Sequence, residues 1–391
     1  MLAANLFAAH ELGAGGFGLL TLLQTVVTFL AGIAALGLGV ALTRRVAELR
    51  VTEPERVQPT IHAVLRKVAL VGLALACSCA LASPLVHSAV LSRGSAALVL
   101  LAAPTVLGSA VLSTAQGALL GQERFTLFAC SQLAQGLAVG CGLAAGAAVA
   151  GVNGAAAGAS AGWLVAAVTA SLLVRTPARP ANAAPADLQP LWGAALPALF
   201  AFVSIYVALL VAQLVLSRRS GGFQELGVFN VAYRWHLAIL AIPSAIAPIA
   251  LPLLTRMRTA AQQADERDVL HVNISVNLLA TLLPALLLAL LAGPVMGLSG
   301  SHYRAHPAPL VLLAIAAVPS ALNSVLSSRA ISIGAMRLWL WSDIALAGVL
   351  VVTASALVGS GAAGLAIAYL AAFVATDTVL VPVVRDARPR S

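Results

Sequence analysis

The chain has 391 residues, of which 61% are hydrophobic and 9% charged, where an ordinary soluble domain carries about 25% charged residues. A soluble core could not hide that much apolar surface, so the implied solvent is lipid. The net charge of +9 does not point to nucleic acid, because the arginines sit between apolar runs and not on one polar face.

From the N-terminus, Met1 to His10 lacks a basic start, so no cleavable signal peptide is predicted. Eleven apolar runs follow, at 18–42, 68–91, 96–120, 126–150, 155–174, 190–216, 227–254, 271–297, 308–328, 338–358 and 362–384. Each approximates the length, about 20 residues, that carries an α-helix across a bilayer. None alternates with period two, as barrel strands do. Cys77, Cys79, Cys130 and Cys141 all fall inside runs. There they read as small buried apolar residues and not as a disulfide framework or a metal site.

Between the runs, the basic residues are distributed unevenly. The segments 43–67, 121–125, 175–189, 255–270, 329–337 and the tail from 385 hold 17 Lys and Arg. The alternate segments hold four, Arg93, Arg218, Arg219 and Arg304, and Arg234 lies inside a run. By the positive-inside rule the first set is cytoplasmic, which places the C-terminus inside. The abrupt stop of the first run on Arg44 and Arg45 is then a topological anchor.

The sequence also repeats. Leu42–Arg44 matches Leu254–Arg256 at an offset of 212, and Ala82–Val86 matches Ala292–Met296 at 210. The segment at Gly121 matches the one at Gly334 at 213, and that at Asn153 matches Ser360 at 207. The offset covers six spans, an even number, so both halves enter the membrane in the same direction. The expected fold is an all-α integral membrane protein of two parallel-repeat helical bundles. Its plan is six plus six with the first helix truncated, leaving about 11 full transmembrane helices. The expected bundles are 1–189, with its cytoplasmic linker, and 190–391.

Five stretches carry a family resemblance. "ELGAGGFGLLTLLQ" with "LGLGVALTRRVAE" resembles the opening of Wzx-type polysaccharide-biosynthesis flippases. These belong to the multidrug/oligosaccharidyl-lipid/polysaccharide exporter superfamily. "LPALFAFVSIYVALLVAQLVLSRRSGGFQELGVFNVAYRW" is similar to that family's proline-led helix, short outer loop and following helix start. "GQERF" and "GSGAAGLAIAYL" resemble its later landmarks. Gln213 stands where family members often have aspartate, and Phe229 where they often have tyrosine. The resemblance implies a V-shaped pair of six-helix bundles with alternating access. It implies a lipid-linked sugar as cargo, moved from the cytoplasmic to the outer leaflet of the plasma (inner) membrane. It also implies glycosyltransferase or polymerase partners and no cofactor.

Polar residues inside runs are the candidate site, because each is costly in hydrocarbon. Arg234 follows Asn230 by four residues on one helix face. A guanidinium fork suits a pyrophosphate, although an arginine near a helix end also snorkels to the interface. Asn273 and Asn277 share a face, as do Gln132 and Gln135. These amides suit sugar hydroxyls or helix–helix hydrogen bonds. Gln116 and Asn323 fall near the inner ends of equivalent helices, and Arg44 and Arg256 at equivalent inner ends. Asp343 and Asp377 are the acids well inside runs, and are the candidates for ion coupling. His302 and His306 have no acid or cysteine near them to complete a metal site.

Two rival functions are a multidrug exporter of the same superfamily and a membrane-embedded glycosyltransferase or polymerase. The second needs carboxylates in sizeable outer loops, and Glu225 is the only acid in those loops here. No phosphate-cradling Gly-x-x-x-x-Gly-Lys motif is present for ATP hydrolysis.

Overall fold

A computed structural model describes residues 1–91, 94–175, 189–241, 263–332 and 335–386. Among them no strand occurs. The principal helices are α1 (Leu2–Ala35), α2 (Leu38–Thr52), α3 (Val57–Leu81), α4 (Ala96–Ala102), α5 (Pro104–Gly121) and α6 (Phe125–Val174). They continue with α7 (Trp192–Ser217), α8 (Gly222–Ile239), α9 (Gln263–Leu290), α10 (Ala308–Ser332), α11 (Met336–Ala356) and α12 (Gly361–Asp386).

Nine stretches among the described residues are long and apolar enough to cross a membrane. One of them, α6, is two passes. A straight helix of its 50 residues would be about 75 Å long, far beyond a hydrocarbon core of about 30 Å. It turns back at Ala150 (φ −137°) and Gly151 (φ 58°, ψ −139°), a conformation open to glycine and costly for other residues. Below the turn, Gly142 meets Gly158 and Gly146 meets Gly154, with no room for a Cβ at any of the four. This close approach of small residues is how helices associate where lipid removes the hydrophobic driving force. The runs expected at 126–150 and 155–174 are the two limbs of this hairpin.

The segment expected as a cytoplasmic loop, 43–67, is helical at both ends. α2 runs to Thr52 and α3 starts at Val57, with a tight turn between them. Hydropathy ends before the helix does, because Arg44 and Arg45 pair with Glu48 along α2 and Arg56 with Glu53 at the turn. Such pairs support helix beyond the hydrocarbon. The run expected to open at 227 begins five residues earlier, as α8 at Gly222. Its stretch from 242 to 254, together with Arg256, lies outside the described residues.

Contacts divide the chain into two compact units, Ala3–Tyr206 and Val207–Ser391. The division falls inside α7, because the first half of α7 packs on the N-terminal unit. Phe202 fills the space above Gly32, Ala195 and Leu199 press on Gly37, and Lys67 sits 4.7 Å over the Trp192 ring. Within the N-terminal unit, α5 is central and packs against α2, α3 and both limbs of α6. Within the C-terminal unit, α10 occupies the corresponding place, against α8, α9 and α12. The turn into α12 repeats the α6 turn, since Gly361 (φ 60°, ψ −136°) matches Gly151 at an offset of 210. This turn recurs at the offset that the sequence landmarks share.

Leucines on α9, among them Leu279, Leu283, Leu286 and Leu290, stand exposed in a row, while alanine is the commonest buried residue. Leucine outside with alanine inside is the packing of a helix bundle in lipid and would be an aggregation liability in water. The molecule is a multi-pass membrane protein.

Candidate functional site

In the N-terminal unit, α5 brings Gln116 against the first limb of α6. The Gln116 Nε2 lies 2.8 Å from Gln132 Oε1, 3.1 Å from Gln135 Oε1 and 3.2 Å from Ser131 Oγ, to which it donates. Two amide protons are shared among three acceptors, so the cluster is one network. Gln132 is exposed, and Gln116 and Gln135 are half-buried. The sequence reading paired Gln132 with Gln135 and named Gln116 separately; the structure joins all three and adds Ser131.

In the C-terminal unit the polar residues are spread over five helices. Asn230 is buried on α8 and donates to its own helix, to Leu226 O at 2.9 Å. On α9, Asn277 is 3% exposed. It donates to the Asn273 backbone oxygen at 2.8 Å and side-chain oxygen at 2.5 Å. These two asparagines are thus joined to each other.

Arg234 is half-buried on α8. Its depth differs from the sequence estimate. Measured from the start of the run at 227, it lay roughly 10 Å from the outer helix end. Measured from Gly222, where α8 begins, it lies about 18 Å in. Gln224 and Glu225 make the first turn of α8 polar, so the helix start does not mark the edge of the hydrocarbon, and both readings of Arg234, snorkelling and cargo binding, stand.

Between α8 and α12 stands an aromatic cluster that sequence reasoning did not find. On α8, Tyr233 stacks on Phe229 at 5.9 Å and on His236 at 5.7 Å. Tyr369 of α12 meets Tyr233 and His236 edge-on, each at 5.5 Å, and Phe373 lies 5.1 Å further along. The two phenol oxygens are 3.2 Å apart and hydrogen-bonded. His236 is 1% exposed, and its Nδ1 is 2.8 Å from Leu313 O on α10. The signal available in sequence was slight: three of only four tyrosines fall inside runs, and the two that meet are 136 positions apart.

Asp377 on α12 is 6% exposed, and both carboxyl oxygens are buried without a hydrogen bond. The Asn323 amide of α10 acts on the carboxyl, but no bond of ordinary length and angle closes between them. Asp343 on α11 is 5% exposed. No salt bridge reaches either acid among the described residues.

Arg44 has its side chain 72% exposed and is paired with Glu48 at 3.1 Å. Glu225, the acid noted in the outer loops, accepts a hydrogen bond from Ala362 N at 2.8 Å. It caps the start of α12 and is occupied structurally. No group of three or more His, Cys, Asp or Glu suited to a metal ion occurs among the described residues.

The sequence pattern of the polysaccharide biosynthesis protein family matches residues 5–258. No curated protein matches in sequence. Among solved structures, an inward-facing multidrug resistance MATE family transporter of the MOP superfamily is similar, with a TM-score of 0.81 at 16% identity. That likeness covers 98% of this chain and 92% of the other. The lipid II flippase MurJ in an inward closed conformation gives 0.76 at 14% identity, over 98% of this chain and 84% of MurJ. A MOP superfamily transporter from Pyrococcus furiosus gives 0.76 at 16%, over 98% and 90%. At such identities these likenesses establish the shared fold. Since the family pattern spans more than half of the 391 residues, the chain belongs to the polysaccharide biosynthesis protein family.

Proposed function

We propose that this chain is a flippase that moves a polyprenyl-pyrophosphate-linked oligosaccharide from the cytoplasmic to the outer leaflet of the plasma membrane. The observation that carries the reading is Arg234, a half-buried arginine twelve residues beyond the start of α8, in a member of a polysaccharide biosynthesis family. A guanidinium offers two parallel hydrogen bonds to a pyrophosphate, and hydrocarbon makes them strong. The likeness to MurJ supports a lipid-linked cargo. Members of this family would work beside the glycosyltransferases or polymerases that make and consume that lipid.

In this reading Gln132 and Gln135, held by Gln116, and the Asn273–Asn277 pair supply hydrogen bonds to the sugar. Asn230 supports the face that carries Arg234. Arg44 and its repeat partner Arg256 flank the cytoplasmic mouth and hold anionic headgroups, an arginine near such a surface contributing about 1 kcal/mol. Asp343 and Asp377 are the ion-coupling residues. A buried carboxyl without a cation is a place for a proton or a metal ion to bind.

The test is reconstitution into proteoliposomes with a labelled lipid-linked oligosaccharide. Protection of the sugar from an added glycosidase reports its leaflet. The chain is expected to accelerate exchange between leaflets. Exchange no faster than in empty vesicles, with drug efflux instead, would favour the multidrug reading that the MATE likeness suggests. Under an imposed proton or sodium gradient, Asp377→Asn is expected to abolish the gradient's effect while exchange at equilibrium persists. Undiminished gradient-driven transport by that variant removes Asp377 from the coupling site.

A further inference from the structure

Resting on the coupling role proposed for Asp377, we infer that Asn323 makes that carboxyl a proton site and not a sodium site. The two residues face each other across α10 and α12. Leu326 of α10 packs against Leu380 of α12, with Leu322 and Leu338 beside them. Asn323 and Asp377 stand three residues earlier on each helix, so the same offset of 54 positions joins both pairs. At that register the Asn323 amide acts on the Asp377 carboxyl, and the leucines seal the pair along one direction.

Neither group has a closed bond. Asp377 is 6% exposed and Asn323 7%, and both carboxyl oxygens and the amide nitrogen are buried without a hydrogen bond. Thr376, next to the acid, spends its hydroxyl proton on Ala372 O at 2.9 Å. The charged and titratable groups on the helices packed against α12 are Arg329 of α10, Arg337 and Asp343 of α11, and Tyr233, Arg234 and His236 of α8. None of them hydrogen-bonds to this carboxyl. A bare carboxylate there is a buried charge without a partner, which is strongly unfavourable.

An amide and a carboxylic acid complement each other. One proton from the aqueous phase forms one O–H bond on Asp377. That O–H donates to Asn323 Oδ1, while Asn323 Nδ2 donates to the other carboxyl oxygen. Both residues are then satisfied in one ring of two hydrogen bonds. Release breaks the same O–H bond and returns the proton to water. A hard cation needs a shell of oxygens. This pair offers three, and its amide N–H turns the positive end of a dipole toward the place the ion would take.

The full-length protein in nanodiscs is examined by infrared difference spectroscopy between acid and alkaline pH, with choline or sodium chloride as the salt. The band read is the C=O stretch of a protonated carboxyl. Wild type is expected to show one such band that Asp377→Asn removes. Asn323→Leu is expected to keep the band and move it to higher wavenumber, because the carbonyl loses the hydrogen bond from the amide. Asn323→Ala repeats the test should Asn323→Leu fail to accumulate. Sodium in place of choline is expected to leave the wild-type band and its titration unchanged. A band unmoved in both Asn323 variants overturns the pairing. Loss of the band on adding sodium at constant pH overturns the selectivity, and identical spectra of wild type and Asp377→Asn overturn the proton site. Each of these outcomes leaves the flippase reading standing, since that reading fails only if lipid exchange in proteoliposomes is not accelerated.

Discussion

Arg234 tests the site at the scale of a single residue. Hydrogen bonds to charged groups contribute about 1.5–3 kcal/mol, so Arg234→Ala is expected to slow transport of a pyrophosphate-linked lipid roughly ten- to a hundredfold. Arg234→Lys should rescue it in part, because a point charge keeps the attraction and loses the fork. The measurement is initial transport rate at matched reconstituted protein. Wild-type rates in the alanine variant would return Arg234 to a structural role. The residue itself was legible in sequence as a charge inside an apolar run. The helix start before it was not, because Gln224 and Glu225 lower the hydropathy of the first turn of α8 and push the apparent start to 227. Glu225 belongs to that helix and caps α12. The Tyr233–Tyr369 contact was illegible for another reason: it joins residues 136 positions apart, and nothing local marks the pair.

Among the elements, the α6 hairpin has the sharpest packing constraint. A Cβ added at Gly158 meets the backbone of Gly142, which cannot move aside as a side chain would. Gly158→Ala is therefore expected to destabilise by about 1–3 kcal/mol, the usual range for overpacking, or to force the limbs apart. Gly348, in the middle of α11, has nothing within 4 Å of an added Cβ. Gly348→Ala should be neutral or stabilise by up to about 1 kcal/mol, from helix propensity alone. Thermal unfolding of the two variants in one detergent compares them directly. Equal Tm values would mean that the hairpin is looser than its glycines imply. The two limbs were readable as apolar runs on either side of a short Gly/Asn dip. The helical ends within 43–67 were not, since i,i+3 and i,i+4 ion pairs hold helix where hydropathy has already fallen.

At the scale of the whole molecule, the repeat was legible because its landmarks are short, rigid and in fixed order, and the backbone retains the glycine turns that they bracket. The charge bias predicts sidedness, and the geometry of the N-terminal unit shows which ends lie together. In the N-terminal unit, Arg50 pairs with Glu123 at 3.2 Å, Arg124 donates to Leu173 O at 3.1 Å, and Gln58 donates to Val174 O at 3.3 Å. These contacts tie the α2–α3 turn, the α5–α6 turn and the end of α6 to one face. Arg44, Arg45, Arg50, Arg56, Arg124 and Arg175 all lie on or beside those ends, so the basic excess is a property of one surface. In the C-terminal unit the α7–α8 turn and the start of α8 are tied to the turn into α12, Arg219 donating to Val358 O and Ala362 N to Glu225. With the basic ends in the cytoplasm, Thr52, exposed at the end of α2, faces inside, and Ser220, exposed in the α7–α8 turn, faces outside. In a background with Cys77, Cys79, Cys130 and Cys141 replaced, Thr52→Cys should resist a membrane-impermeant maleimide added to intact cells and react after lysis. Ser220→Cys should react in intact cells. The reverse pattern would invert the protein and move the arginine-rich ends to the outer surface. The direction of flipping proposed from the cytoplasmic mouth would then fail with it.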